Sequence, residues 1–267
     1  MKRGWIGALA VVPFLAACAS SPMTPPQALA DLAPNGKLRA AINFGNPILA
    51  VRDPATREPA GISVDLAREL ARRLGVPLEI VTYDAAGKVV EGLAENAWDV
   101  AFLAIDPARA VDIAYSAPYV VIEGFYLVAQ DSPIRSNADI DRAGVRVAVG
   151  KGSAYDLFLS RELKAATIVR APTSQAVTDT FVRERLDAAA GVRQQMESDA
   201  RRVPGLRLLD ARFMVINQAM GTPRARGDAG ARYLREFVEA MKASGFVAAA
   251  LARNRVDGVG LAPPEAR

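Results

Sequence analysis

An arginine follows the end of a short apolar segment in the first half of the chain. Residues 100–105 are mostly apolar, Asp106 and Pro107 interrupt them, and Arg109 comes two residues later. A guanidinium at the carboxyl end of a buried strand can hold a carboxylate through two parallel hydrogen bonds. The alternative is an arginine in an exposed helical turn that pairs with Asp112. Arg109 is therefore a candidate anion-binding residue.

A second candidate anion site is the segment Gly152-Ser153-Ala154. Glycine lets a ligand approach the backbone closely, and Ser153 can cap the helix that we predict to begin there. The free N–H groups at the start of a helix attract negative charge. The alternative is a plain helix cap that binds no ligand.

The composition excludes several kinds of site. The chain has no histidine and one cysteine, Cys18, which excludes histidine-based catalysis, intrachain disulfides and cysteine metal clusters. We predict no cofactor and no metal. The formal net charge is +4, but the basic residues are scattered and form no stripe with aromatic side chains. Nucleic acid is therefore not a predicted partner.

The amino terminus has the pattern of an export signal. Lys2 and Arg3 precede an apolar stretch at residues 5–15, which is too short to span a bilayer comfortably. We predict a signal peptide at residues 1–17 and a Pro- and Ala-rich tether at residues 18–36.

The end of this signal indicates whether the protein is anchored to the membrane. Leu15-Ala16-Ala17-Cys18 resembles the lipobox of bacterial lipoproteins, in which cleavage before the cysteine leaves a diacylglycerol on its thiol. The alternative is an ordinary signal peptide cleaved after Ala19. Both place the protein outside the cytoplasm, and the first anchors it to the membrane through Cys18.

Strand and helix patterns alternate along the rest of the chain. Predicted strands lie at residues 38–43, 78–82, 99–105, 145–149, 167–170 and 187–192. Predicted helices lie at residues 63–74, 88–96, 153–163, 174–183, 194–200, 228–243 and 246–253. This alternation indicates parallel sheets with helices on their faces.

Two longer extended segments, residues 119–130 and 211–220, interrupt the alternation. We therefore predict an α/β fold of two lobes joined by a hinge of two extended crossings. The first lobe comprises residues 37–125 and 217–257, and the second comprises residues 126–216. Ligands of open α/β sheets bind beyond the carboxyl ends of the strands, so two facing lobes form a cleft that the hinge can close.

Five segments in this order resemble the amino-acid-type extracellular solute-binding proteins that supply ABC importers. They are GKLRAAIN (36–43), GISVDLARELARRLGVPLEIV (61–81), DPARAVDIAYSAPYV (106–120), VAVGKGSAYDLFL (147–159) and AMKASGFVAAALAR (240–253). The resemblance covers about residues 36–253 and implies a two-lobe periplasmic-binding-protein-like fold.

The resemblance also implies roles for individual residues. Arg109 matches the arginine that clamps the ligand carboxylate, and Gly152, Ser153 and Ala154 match the turn that holds the same carboxylate from the opposite lobe. Asn43, Ala104 and Asp106 match positions of the same site. The implied function is non-catalytic binding of a small carboxylate-bearing solute and its delivery to the membrane permease of an ABC transporter.

Several departures from the family pattern concern the ligand. The acid that normally holds a ligand ammonium is missing from residues 191–194, and residues 46–51 contain no aromatic for stacking. A hydroxyl residue is replaced by Ala104, and Asp106 occupies the place of a threonine. Either Asp106, Glu123 or another acid binds the ammonium, or the ligand is an organic acid without one.

Arg193 lies beside the missing acid and, if it faces the cleft, would suit a dicarboxylate. Two other functions also remain open. Some extracellular relatives are dehydratases, for which Asp106 and Glu123 would be the acid–base candidates, with a capping or surface role as the alternative. The chain could also be an accessory or sensor lipoprotein that presents its ligand to a membrane partner.

Overall fold

Ten strands of one mixed β-sheet run through the described part of the chain. The structure is a computed structural model that describes residues 24–265. The predicted signal peptide and the predicted lipid anchor at Cys18 lie outside the described residues. Within the described part of the chain, no helix combines the length and the apolar character needed to cross a membrane.

The first half of the chain alternates short strands and helices before one long strand. In order it forms α1 (Pro26–Leu32), β1 (Leu38–Asn43), β2 (Val51–Arg52), β3 (Pro59–Ala60), α2 (Ile62–Leu74), β4 (Leu78–Tyr83), α3 (Ala86–Ala94), β5 (Val100–Ala104), α4 (Pro107–Ala110) and β6 (Ile113–Ala129). The elements predicted here have the predicted type, with ends shifted by a few residues. Helix α1, the short strands β2 and β3, and helix α4 were not predicted.

The second half repeats the alternation of strands and helices, and its last elements pack again on the first part of the chain. In order it forms β7 (Arg146–Gly150), α5 (Ala154–Glu162), β8 (Thr167–Ala171), α6 (Val177–Arg183), β9 (Ala188–Val192), α7 (Arg193–Arg202), β10 (Leu206–Leu208), β11 (Met214–Pro223), α8 (Asp228–Ala243), α9 (Phe246–Arg253) and β12 (Gly260–Leu261). Two single 3₁₀ turns, Asn137–Asp139 and Arg224–Arg226, lie in the connections.

The sheet has two parallel parts joined by an antiparallel centre. The strand order is β4-β1-β5-β11-β6-β9-β7-β8. Strand β1 pairs in parallel with β4 and β5, and β7 pairs in parallel with β8 and β9. Between them, β6 and β11 pair antiparallel from Ile113–Pro223 to Gly124–Met214. The two segments predicted as extended crossings are therefore these two strands.

We use "first lobe" for β1–β5 with α1–α4, α8 and α9, and "second lobe" for β7–β9 with α5–α7. The α/β prediction is confirmed by this arrangement. The predicted residue limits of the lobes stay a prediction.

Each lobe buries both faces of its sheet. In β1, Ala40 and Ile42 contribute to one apolar cluster, whereas Ala41 contributes to another cluster around Trp98. In β7, Val147 and Val149 lie in one cluster and Ala148 in another. Successive side chains of a strand point to opposite faces, so this division shows helices covering both sides.

Helix α1 replaces part of the predicted tether. Pro26 begins the helix, and its last turn buries Asp31, whose Oδ2 accepts a hydrogen bond from the backbone N of Gly230 at 2.8 Å. That N–H lies in the first turn of α8, where a carboxylate stabilises the helix. The Pro- and Ala-rich composition predicted a tether, but a contact 199 residues away along the chain orders this segment.

Candidate functional site

The position of Arg109 follows from a turn after β5. The Asp106 carboxylate accepts the backbone N–H of Ala108 at 2.9 Å, and Pro107 starts the four-residue helix α4. This cap turns the chain back over the strand end and buries Arg109. Its Nη1 donates to the carbonyl of Ala104 at 3.0 Å, and its Nη2 donates to the carbonyl of Gly152 at 2.8 Å. Arg109 therefore links the end of β5 to the second lobe.

The charge of Arg109 is only partly compensated. Its side chain is 4% exposed, and its Nε has no hydrogen-bond partner among the described residues. Burial lowers the pKa of Arg109 because desolvation penalises the charged form, although nearby Tyr115 and Asp106 oppose this effect. Backbone carbonyls satisfy two N–H groups but carry no formal charge. The guanidinium is therefore suited to an additional anionic partner.

A cavity of about 40 Å³ lies beside Arg109, between the two lobes. Polar lining side chains are Asn43, Asn46, Ser63, Ser153, Tyr155, Ser174, Gln195 and Gln218. Apolar lining side chains include Pro47, Leu49, Phe102, Ala154, Val192 and Ile216. Within residues 24–265, Arg109 is the one formally charged residue of the lining, and neither Asp nor Glu contributes to it.

The lobes contact each other around this cavity. Arg161 of α5 pairs with Asp106, with an Nη2–Oδ2 distance of 2.8 Å. Nε2 of Gln175, at the edge of the second lobe, donates to the carbonyl of Phe44 at 2.7 Å. At Gly87 and Gly152 the two backbones are so close that a Cβ added to Gly152 would lie 2.8 Å from Cα of Gly87. The cleft is therefore closed.

The turn before α5 is organised by its own side chains. Ser153 Oγ accepts the N–H of Asp156 at 3.0 Å, and Asp156 Oδ2 accepts the N–H of Gly152 at 2.8 Å. The N–H of Ser153 donates to the carbonyl of Gly150 at 3.0 Å. Two N–H groups that the sequence suggested for an anion thus already have acceptors. Ser153 and Ala154 nevertheless line the cavity.

The described geometry can be compared with known proteins. The family model of bacterial extracellular solute-binding proteins, family 3, matches residues 38–254. The chain belongs to this family. The resemblance found in the sequence is confirmed, and membership fits a location outside the cytoplasm.

Solved structures share the fold of this solute-binding protein. A mutant of ArgBP from T. maritima has a TM-score of 0.72 at 23% identity, over 86% of this chain and 100% of that chain. Cysteine-binding protein from Campylobacter jejuni has a TM-score of 0.73 at 17% identity, over 88% and 99%. An ancestral amino acid-binding protein, a precursor of cyclohexadienyl dehydratase, has a TM-score of 0.70 at 21% identity, over 84% and 98%. These likenesses support the two-lobe fold.

The structure brings most of the sequence-derived site residues of this solute-binding protein together. Asn43, Ala104, Arg109, Ser153 and Ala154 all line the cavity. Gly152 contributes the carbonyl that accepts from Arg109. These residues lie at or just after the carboxyl ends of β1, β5 and β7. The strands of the two lobes run in opposite directions, so these ends face each other across the cleft.

Asp106 has a structural role outside the cavity. Its side chain caps α4 and pairs with Arg161, and it is not among the residues lining the cavity. The same holds for Glu123, which pairs with Arg212 and Arg193 on the exterior. Neither is placed to hold a ligand ammonium, so the structure does not support this expectation.

The structure places Arg193 outside the cavity. It forms an ion pair with Glu197 at 2.7 Å and lies over the ring of Phe125. Its side chain is 47% exposed, in a surface depression with Gln194 and Arg201. Arg193 begins α7, so the direction of that helix carries it outward. The structure therefore does not support the expectation that Arg193 faces the cleft.

Sequence reasoning missed Gln218 and Phe102. Gln218 in β11 pairs in register with Ala104 of β5, and it lines the same cavity as Arg109. A signal for Gln218 exists, because Ile216, Gln218 and Met220 alternate along an apolar strand and a buried amide among them is unusual. Phe102 supplies from β5 the aromatic wall that residues 46–51 lack.

Proposed function

We propose that this protein binds a small carboxylate-bearing solute outside the cytoplasm and delivers it to the permease of an ABC transporter. The observation that carries the proposal is the buried guanidinium of Arg109 at a cavity between two lobes. A carboxylate beside Arg109 would receive charge-assisted hydrogen bonds in a site shielded from water.

The contacts between the lobes support a binding cycle. Arg109 belongs to the first lobe, and its partner Gly152 belongs to the second. A solute bound at Arg109 would therefore touch both lobes and favour the closed form over the open one. A permease that distinguishes closed from open lobes could recognise the loaded protein.

The structural relatives support the solute class. Their names specify arginine, cysteine or amino acid binding, and all of these solutes carry a carboxylate. We propose an amino acid or a related organic acid for this chain. Lipidation of Cys18 would hold the protein close to the membrane and its permease.

We propose a non-catalytic role. Asp106 and Glu123, the acid–base candidates for a dehydratase, are both engaged in ion pairs with arginines. General acid–base chemistry needs a titrating group within hydrogen-bond reach of the substrate, and neither lines the cavity. One relative is named as a precursor of a dehydratase, but no contact in this site favours that chemistry.

A thermal-shift screen tests the proposal. The purified full-length chain is melted with amino acids, keto acids and dicarboxylates. A ligand at a hundredfold excess over its Kd stabilises the folded state by about 2.7 kcal/mol, which raises Tm by roughly 5–10 °C. Arg109→Ala should abolish the shift, and exposed Arg183→Ala, at a residue paired with Glu184, should retain it.

Circular dichroism establishes that Arg109→Ala is folded. A ligand that stabilises the folded Arg109→Ala chain as strongly as the wild type would refute the site. Stabilisation of both arginine variants by a non-acidic solute would refute the solute class.

A further inference from the structure

We infer that the solute is a short monocarboxylate without an ammonium group. This inference rests on the proposed function and narrows its solute class. It follows from three properties of the same cavity: its charge, its walls and its volume.

The charge of the site is the first property. Asp106, the acid nearest in sequence to Arg109, is paired with Arg161 at 2.8 Å. Asp156, under the opposite wall, is paired with Arg170 at 3.0 Å. These two pairs are neutral, which leaves Arg109 as a buried positive charge. In the part of the chain that the structure describes, the lining offers no carboxylate against it.

A ligand with one negative charge complements this site. A zwitterion has no net charge, and its ammonium would enter a buried cavity whose described lining has no anion to receive it. Such an unpaired buried charge is strongly unfavourable. A dicarboxylate would bring a second negative charge. The exposed Arg193, bound to Glu197, is not positioned to meet it.

The walls are the second property. Phe102, Val192 and Ile216 contribute apolar surface to the lining, which suits a short hydrocarbon chain. Gln218 adds a neutral polar group, and its buried Oε1 has no hydrogen-bond partner among residues 24–265. An acceptor without a partner needs a donor, so Gln218 Oε1 suits a neutral hydroxyl group on the solute.

The volume is the third property. The closed cavity measures about 40 Å³, which corresponds to roughly three water-sized spheres. This small space favours a compact solute over one with a long side chain such as that of arginine. We therefore place the solute among three-carbon monocarboxylates and acids of similar size.

A matched series on the wild-type full-length chain tests the inference. Alanine, L-lactate, pyruvate and propionate have the same three-carbon skeleton and differ only in the group at the second carbon. Titration calorimetry should show lactate, pyruvate or propionate binding on the order of a hundredfold more tightly than alanine. The twenty standard amino acids are titrated alongside.

The outcomes separate the two proposals. Binding of a short monocarboxylate that Arg109→Ala abolishes supports both. Arg109-dependent binding of alanine or another amino acid, in preference to these acids, overturns the inference and leaves the proposed function in place. If neither class binds, the inference fails, and the thermal-shift screen with larger keto acids and dicarboxylates decides the proposed function.

An isosteric substitution gives a second test. Gln218→Glu keeps the shape of the side chain and places a carboxylate in the lining of the cavity that contains Arg109. The ratio of the alanine Kd to the lactate Kd should fall by about tenfold or more. Gln194→Glu makes the same change on the exterior, where Gln194 donates to Gly258, and should leave the ratio unchanged.

An unchanged ratio in a folded Gln218→Glu protein would overturn the charge argument. The three-carbon series on the wild type needs no variant, so the inference remains testable if Gln218→Glu fails to fold.

Discussion

Asp99 and Arg109 are both buried charged residues, but their surroundings differ. Asp99 is fully buried and bound by two arginines, with Arg39 Nη2 at 2.7 Å and Arg226 Nη2 at 3.0 Å. Arg109 is bound by two carbonyls. A buried charge is tolerated when it is paired and hydrogen-bonded. At the residue scale, Asp99 therefore has the character of a structural group and Arg109 that of a binding group.

The first prediction concerns Asp99. Asp99→Asn leaves two partly buried arginines without their anion, and we expect the free energy of unfolding to fall by about 3 kcal/mol. Urea denaturation measures this change. The matched control is Asp179→Asn, which breaks a surface pair with Arg202 in which Asp179 is 62% exposed, and should lower stability by less than about 1 kcal/mol. Equal losses in the two variants would contradict the assignment.

At the scale of elements, the start of α3 and the turn before α5 form a close backbone contact between the lobes. Gly87 lies in the first turn of α3, and Gly152 lies two residues before α5 with φ +69°. Their backbones meet with no room for a side chain at Gly152. Closure of the cleft therefore depends on a glycine at this position.

The second prediction follows from this contact. Gly152→Ala brings a Cβ to 2.8 Å from Cα of Gly87, which should hold the lobes apart and weaken binding of the screened solute by about tenfold or more. Gly75→Ala is the control, because Gly75 has φ +71° and nothing within 4 Å of its added Cβ.

Both alanines carry the strain of a left-handed backbone, so each should cost about 1 kcal/mol of stability. Titration calorimetry should nevertheless detect weaker binding in the Gly152 variant alone. Equal affinities in the two variants would show that this contact does not control closure.

At the scale of the whole molecule, a few polar contacts join the lobes across the cleft. The pair of Asp106 and Arg161 is one of them, with side chains 5% and 42% exposed. Asp156 and Arg170 form a pair of nearly the same exposure, 5% and 45%, within the second lobe. Comparing the two pairs separates the effect of an ion pair between the lobes from the effect of an ion pair within one lobe.

The third prediction uses this match. Arg161→Ala removes a bridge between the lobes and leaves buried Asp106 unpaired, so the open form should become more populated. Small-angle X-ray scattering should show a larger radius of gyration than in the wild type. Arg170→Ala should leave the radius unchanged, because both partners of its pair belong to one lobe. An equal expansion in both variants would contradict the bridging role.

Local patterns in the sequence determined the helices and strands and one residue of the site, Arg109. Alternation of apolar strands and amphipathic helices predicted the α/β lobes, and two long extended runs predicted β6 and β11. Asp106 and Pro107 predicted the turn that places Arg109 over the end of β5. These features depend on neighbours a few residues apart, so periodicity, caps and proline suffice to recognise them.

The tertiary structure alone decided which charges are paired and what lines the cavity. Arg161 lies 55 residues from Asp106, and Gln218 lines the same cavity as Arg109 only through the register of β11 on β5. Arg193 points outward because of the direction of α7, although its sequence neighbours suggested the cleft. Strand register and lobe contacts join residues far apart along the chain, and local composition carries no information about such pairings.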